Sequence, residues 1–107
     1  MKWQIKFFNH KVEAETMSFP PGILANFLHI AEMIEEFGPA LGSPYTKALK
    51  DGLFEMRAKG KEGIGRSFFC TLKRKDVIIL HSFVKKSQKI PKKEIKTAQQ
   101  RLKEVKS

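Results

Sequence analysis

Arg57 and Arg66 are the residues of this sequence best suited to chemistry on a phosphate. Arg57 closes the strand-like run Leu53 to Ala58, and Arg66 lies early in the next run, Gly65 to Leu72. Between them stands Lys59-Gly60-Lys61-Glu62-Gly63, a composition that suits a hairpin loop. Such a loop makes the two guanidinium groups near neighbours on adjacent strands. Two permanently charged, planar forks on one face suit a phosphodiester that gains negative charge as it reacts. The competing reading is that Glu55 or Asp76 simply pairs with them on an exposed face. Lys85, Lys86 and Lys89 follow the last apolar run and can lean over the same surface. Crowded cations lower one another's pKa, the condition for a lysine to act as a base; plain phosphate tethering is the alternative. Lys59 and Lys61 serve RNA contact or loop solubility equally well. His81 interrupts an apolar run, where a lone histidine reads first as a packed core group and second as a reactive one.

Other chemistries find no support. His10, His29 and Cys70 have no metal-ligand spacing, and no carboxylates pair up for two-metal catalysis. Gly60, Gly63 and Gly65 lack the following helix that a phosphate loop requires. The sequence therefore predicts no metal and no cofactor. Cys70 is the one cysteine, so no disulfide forms within the chain, and it reads as a small buried hydrophobe.

The 107 residues are one domain's worth, residues 1–107, with 41% apolar content and nine Phe to build a core. No stretch has the length of a membrane span and the N-terminus leads into no signal core, so a cytoplasmic protein is expected. Twenty-one Lys and Arg against eleven Asp and Glu leave a formal charge of +10. That charge is lopsided. Met1 to Met56 holds five lysines and seven acids, whereas Arg57 to Ser107 holds sixteen basic residues and four acids. A basic half of this strength attracts a polyanion, in a salt-dependent way.

The elements that must position these groups are legible from periodicity. Trp3 to Phe7 alternates as a half-buried strand with Trp3, Ile5 and Phe7 inward, and Val12 to Glu15 reads as its extension or a second short strand. Ile23, Phe27, Ile30, Ala31 and Ile34 predict a helix from Pro21 to Phe37, with Ser18 as a candidate cap and Gly38-Pro39 as the stop. Tyr45 to Lys50 is expected to be a short helical piece. Three strands then form a meander, with basic turns at Lys59–Gly63 and at Lys73-Arg74-Lys75-Asp76. Pro91 opens a last helix with the apolar stripe Ile95, Ala98, Leu102 and Val105. The fold class is α+β. A small twisted, mainly antiparallel sheet carries an N-terminal strand and the meander, with helices packed on one face and a C-terminal helix. The other sheet face stays partly open and carries Arg57 or Arg66.

Three segments together resemble the RelE/HigB superfamily, and within it the HigB-like, phage-related Gp49 branch. Leu49-Lys50-Asp51-Gly52-Leu53-Phe54-Glu55-Met56-Arg57 is similar to its L-x-x-G-L-x-E-L-R segment. Gly63-Ile64-Gly65-Arg66-Ser67-Phe68-Phe69 resembles its G-x-x-R-x-x-Y/F strand, and the run Leu80 to Pro91 resembles L-H-x-F-x-K-K-x-x-K-x-P. Glu94, Ala98 and Arg101 continue the pattern. The resemblance implies a RelE-like fold and a type II toxin. That toxin would be a metal-independent endoribonuclease, or mRNA interferase, acting on mRNA in the ribosome. It assigns Arg57, Arg66 and Lys86 to catalysis, and Lys59, Lys61, Lys73, Arg74, Lys85, Lys89, Lys92 and Lys93 to RNA contact, with His81 at a matching position. It implies a helix-turn-helix antitoxin, HigA-like, through which operator DNA is reached, and no membrane partner. Where the family often has an aromatic hydroxyl in the second meander strand, this chain has Phe68 and Phe69, and its only Tyr is Tyr45. A non-catalytic nucleic-acid-binding module, a decayed toxin, or a protein docking an acidic partner are the alternatives.

Overall fold

The computed structural model describes residues 2–85 and 89–106. Its frame is a five-stranded sheet in the order β1-β5-β4-β3-β2. The strands are β1 Gln4–Phe7, β2 Thr46–Ala48, β3 Phe54–Gly60, β4 Gly63–Leu72 and β5 Asp76–Lys85. β3, β4 and β5 are the expected antiparallel meander, and β1 joins it in parallel alongside β5. Among the described residues the α-helices are α1 His10–Met17, α2 Pro21–Phe37 and α3 Lys92–Lys106.

Two apolar clusters divide the sheet by the alternation of its side chains. Met56, Ala58, Phe69, Val77 and Ile79 point to one face, where Val12 of α1 and Ile23, Phe27, Ile30 and Ile34 of α2 cover them. Trp3, Ile5 and Phe7 pack against the same cluster, as their alternation predicts. Phe68, Cys70, Ile78 and Leu80 point to the opposite face, where Ala98 and Leu102 of α3 are buried with them. Ile95 and Val105, the rest of the expected stripe, pack at the margin of that cluster. Cys70 is fully buried, and that burial raises its thiol pKa.

Three local expectations need correction. Val12 to Glu15 is helical, because Asn9 caps α1 by accepting a hydrogen bond from the Val12 N–H at 2.9 Å. Val12 and Thr16, four residues apart, then share its buried side. Thr16 Oγ is hydrogen-bonded to the Val12 carbonyl and, at 2.7 Å, to Ser82 Oγ on β5, while Ser82 Oγ lies 2.9 Å from Ser67 Oγ. Second, Tyr45 to Lys50 is not helical. Thr46–Ala48 pairs with β3 as an edge strand, and a single 3-10 turn follows at Lys50–Gly52. Third, Ser18 closes α1 and does not cap α2. Pro20 is the N-cap of α2 and offers no side-chain bond. Glu62, in the β3–β4 turn, does that work from a distance. Its carboxylate accepts from the Gly22 N–H at 3.0 Å and the Ile23 N–H at 3.2 Å. Gly60 allows the approach, since a Cβ there would lie 2.6 Å from the Ile23 nitrogen.

Candidate nucleic-acid interface

The register of the meander sets the site. Arg57 on β3 lies directly opposite Arg66 on β4, and Arg66 lies opposite Phe83 on β5. Directly opposed residues share a face, so these three form one row across the sheet. The neighbouring row holds Glu55, Phe68 and His81, extended to β2 by Lys47. The row on the other side holds Lys59, Ile64 and Lys85. All three rows lie on the α3 face, since Phe68 belongs to the cluster beneath that helix.

Glu55 is the hub. It is 1% exposed, and each carboxylate oxygen accepts from a different arginine: Oε1 from Arg57 Nε at 3.3 Å, Oε2 from Arg66 Nη1 at 2.7 Å. One negative charge thus holds two positive ones, and the trio keeps a net positive charge. The guanidinium groups differ in access. Arg57 has 38% of its side chain exposed, whereas Arg66 has 3%. Arg66 Nε is buried without a hydrogen-bond partner. The expectation of the two arginines side by side is met; Glu55 pairs with both, but from a buried position and not on an exposed face, and Asp76 pairs with Lys6 instead. The open face carries Arg57, while Arg66 sits beneath it as a charge held in the protein.

His81 faces the same way through an irregularity in the ladder. Phe68 pairs with His81, but Phe69 pairs with Ile79, so Leu80 is an extra residue on β5. Strict alternation would put His81 with Ile79 under α1 and α2; the bulge turns it to the α3 face. There its Nε2 is 2.8 Å from Glu94 Oε1 in the first turn of α3, and its Nδ1 is buried without a partner. Arg101 of the same helix donates to the Leu80 carbonyl at 2.8 Å. α3 is thereby tied to the bulge by two side chains.

The remaining candidates separate into two groups. Lys59 and Lys85 flank the arginine row, and Lys61 stands at the β3–β4 turn. Asn26 of α2 donates to the Lys59 carbonyl at 3.0 Å, so the hairpin end is held from both sides with Glu62. Lys92 and Lys93 open α3 beside Glu94, and Lys89 is exposed just before them. Lys86 lies outside the described residues. Lys73 and Arg74 form the β4–β5 turn at the far end of β4. Arg66 and Lys73 are seven positions apart in the chain, roughly 23 Å if extended. The structure does not bring this turn to the site. Conversely, sequence reasoning missed Lys47 and Phe83. Lys47 stood in a segment read as helical, and Phe83 in a run read as core.

Among the described residues no group of three or more His, Cys, Asp or Glu is placed to hold a metal ion, and no helix is long and apolar enough to cross a membrane. Residues 14–103 match the family described as phage derived protein Gp49-like (DUF891). No curated protein matches the chain. Among solved structures, the chain is similar to one in the crystal structure of the archaeal RelE-RelB complex from Pyrococcus horikoshii OT3. The TM-score is 0.57 at 20% identity, over 78% of this chain and 96% of that one. That likeness shows a RelE-like fold.

Proposed function

Since the chain belongs to the Gp49-like family of phage-derived proteins, we propose that it is the toxin of a type II toxin–antitoxin pair, an endoribonuclease acting on ribosome-bound mRNA. The observation that carries this reading is the Arg57–Glu55–Arg66 trio on an open basic face. Arg57 contacts the scissile phosphate. Arg66 shares the Glu55 carboxylate with Arg57, so the trio leaves one net positive charge beneath the phosphate. In the proposed reaction the ribose 2′-oxygen attacks the adjacent phosphorus and the bond to the 5′-oxygen breaks. The 2′-hydroxyl proton passes to a base and the leaving 5′-oxygen takes one up, giving a cyclic phosphate and a 5′-hydroxyl. The nucleophile comes from the substrate itself, so this chemistry needs no metal.

The basic face also suits inhibition by a cognate antitoxin. Such a partner would cover Arg57 and the lysines around it, and would carry the pair to operator DNA through its own helix-turn-helix domain.

A second reading, a non-catalytic RNA-binding module, is favoured by two particular groups. Arg66 is almost without exposure, and the Nε2 of His81 is occupied by Glu94. The deciding experiment is mRNA cleavage with and without translating ribosomes, in EDTA, with analysis of both new ends and Arg57→Ala as control. Cyclic phosphate ends that vanish in the variant support the enzyme. RNA binding without cleavage in either setting leaves the binding module.

A further inference from the structure

We propose that Phe83 is a stacking platform for one nucleobase of the bound strand. The proposal rests on the RNA reading above and extends it from phosphate to base.

Phe83 stands in the arginine row, opposite Arg66 and two strands from Arg57. Strand spacing places it about 5 and 10 Å from those two positions, the scale of a single nucleotide. On its own strand it lies between His81 and Lys85, which share its face. The charges around it among the described residues are the cations Arg57, Arg66, Lys59 and Lys85 against the carboxylates of Glu55 and Glu94, a positive balance. A half-buried aromatic ring in such surroundings suits a ligand that is anionic and aromatic at once. Nucleic acid has both properties at the spacing of one residue.

The ring is also held ready. It stacks near-parallel to the His81 imidazole, with centroids 5.7 Å apart and planes 27° apart. It leans on Phe68 at 5.8 Å. His81 cannot turn freely, because Glu94 holds its Nε2 at 2.8 Å. Phe68 is wholly buried and fills the core, whereas Phe83 keeps part of its surface in solvent. Packing of the α3 face thus employs only part of the ring. A preorganised ring loses little freedom on binding, and stacking tolerates any base while favouring those that stack well. Phe83 then tunes which base sits beside the bound phosphate.

The test is binding, read by fluorescence anisotropy of short, non-cleavable 2′-O-methyl oligonucleotides in low salt. One probe carries every base; the others carry an abasic sugar at one position each, with the phosphates intact. Wild-type protein is expected to lose about five- to a hundredfold in affinity at one abasic position. Phe83→Leu should flatten that profile while binding a fully abasic strand as wild type does, with an unchanged salt slope. Phe83→Trp, in a Trp3→Phe background, should restore the profile and show indole quenching on binding. Equal binding of all probes by wild type, no binding at all, or a preserved profile in Phe83→Leu overturns the proposal. Binding of an acidic peptide that Phe83→Leu weakens, with the abasic profile unchanged in that variant, assigns the ring to a protein partner and overturns it too. Failure of the nuclease reading is separate: a base-dependent profile without cleavage removes the enzyme and keeps the platform, and cleavage without the profile does the reverse.

Discussion

Each face of the sheet buries an apolar cluster, the larger under α1 and α2, but the two treat polar groups in opposite ways. Under α1 and α2, Thr16, Ser67 and Ser82 are buried neutral hydroxyls that bond to one another and to a helix carbonyl, and Thr46, opposite Met56, is a further buried hydroxyl that accepts from the Gly42 N–H. Under and beside α3, the buried polar groups are charged: Glu55 and Arg66, with the partly buried His81–Glu94 pair next to them. A neutral network costs little to bury once it is satisfied. A buried ion pair costs several kcal/mol per ion in lost hydration, and often adds no net stability. The first face is therefore organised for folding. The second keeps an expensive arrangement that folding alone does not require, and it keeps it next to the exposed Arg57.

Breaking the hub should produce the largest effect. Glu55→Ala leaves Arg66 buried without a counter-charge, and a loss of about 3–5 kcal/mol is expected in chemical denaturation. Phe27→Ala on the other face should cost a similar amount, about 3–5 kcal/mol, through its cavity. The comparison is sharpened by what else changes: RNA affinity per folded molecule should change for Glu55→Ala, which alters both the charge and the positioning of Arg57, and stay intact for Phe27→Ala. If both variants bind RNA equally, the charged face has no special role. Next in size, Ser82→Ala takes this partner from the Ser67 hydroxyl while Thr16 keeps its bond to the Val12 carbonyl, and about 1–3 kcal/mol should be lost with RNA binding unaltered.

Arg57→Ala should move stability by less than about 1 kcal/mol, because its ion pair is partly exposed and screened. Its signature is electrostatic. The slope of log affinity against log salt should shrink by about one, and an unchanged slope would remove Arg57 from the phosphate path. The smallest effect concerns Glu62. Hydrogen bonds from Gly22 and Ile23, with Gly22 the larger influence, lower its pKa below the ordinary glutamate value. A carboxylate with a lowered folded-state pKa stabilises the fold above its unfolded value, about 4.3. That contribution is lost as the pH falls through the folded-state pKa. Glu62→Gln should therefore lower the melting temperature at neutral pH and leave it nearly unchanged under acid conditions. A constant difference at every pH would mean that charge is not what Glu62 contributes.

Much of this molecule is written locally. The charge split, the stripes of α2 and α3, the meander and the opposition of Arg57 to Arg66 all follow from periodicities of two and 3.6 and from one short turn. These depend on residues near one another in the chain, so a single sequence carries them. The family motifs likewise pointed to the RelE-like fold and the Gp49-like family, and both are found. What the tertiary structure alone decided depends on contacts between distant residues. The helix at Val12 is anchored through Thr16 to Ser82, 66 positions away. The cap of α2 comes from Glu62, 40 positions beyond Gly22. The edge strand at Thr46 exists because β3 offers it a ladder. The bulge at Leu80, invisible in an apolar run, turned His81 toward Glu94. The division of labour between an exposed Arg57 and a buried Arg66 has the same origin. Identical side chains on one face acquire different chemistry only when packing sets how much water each one keeps.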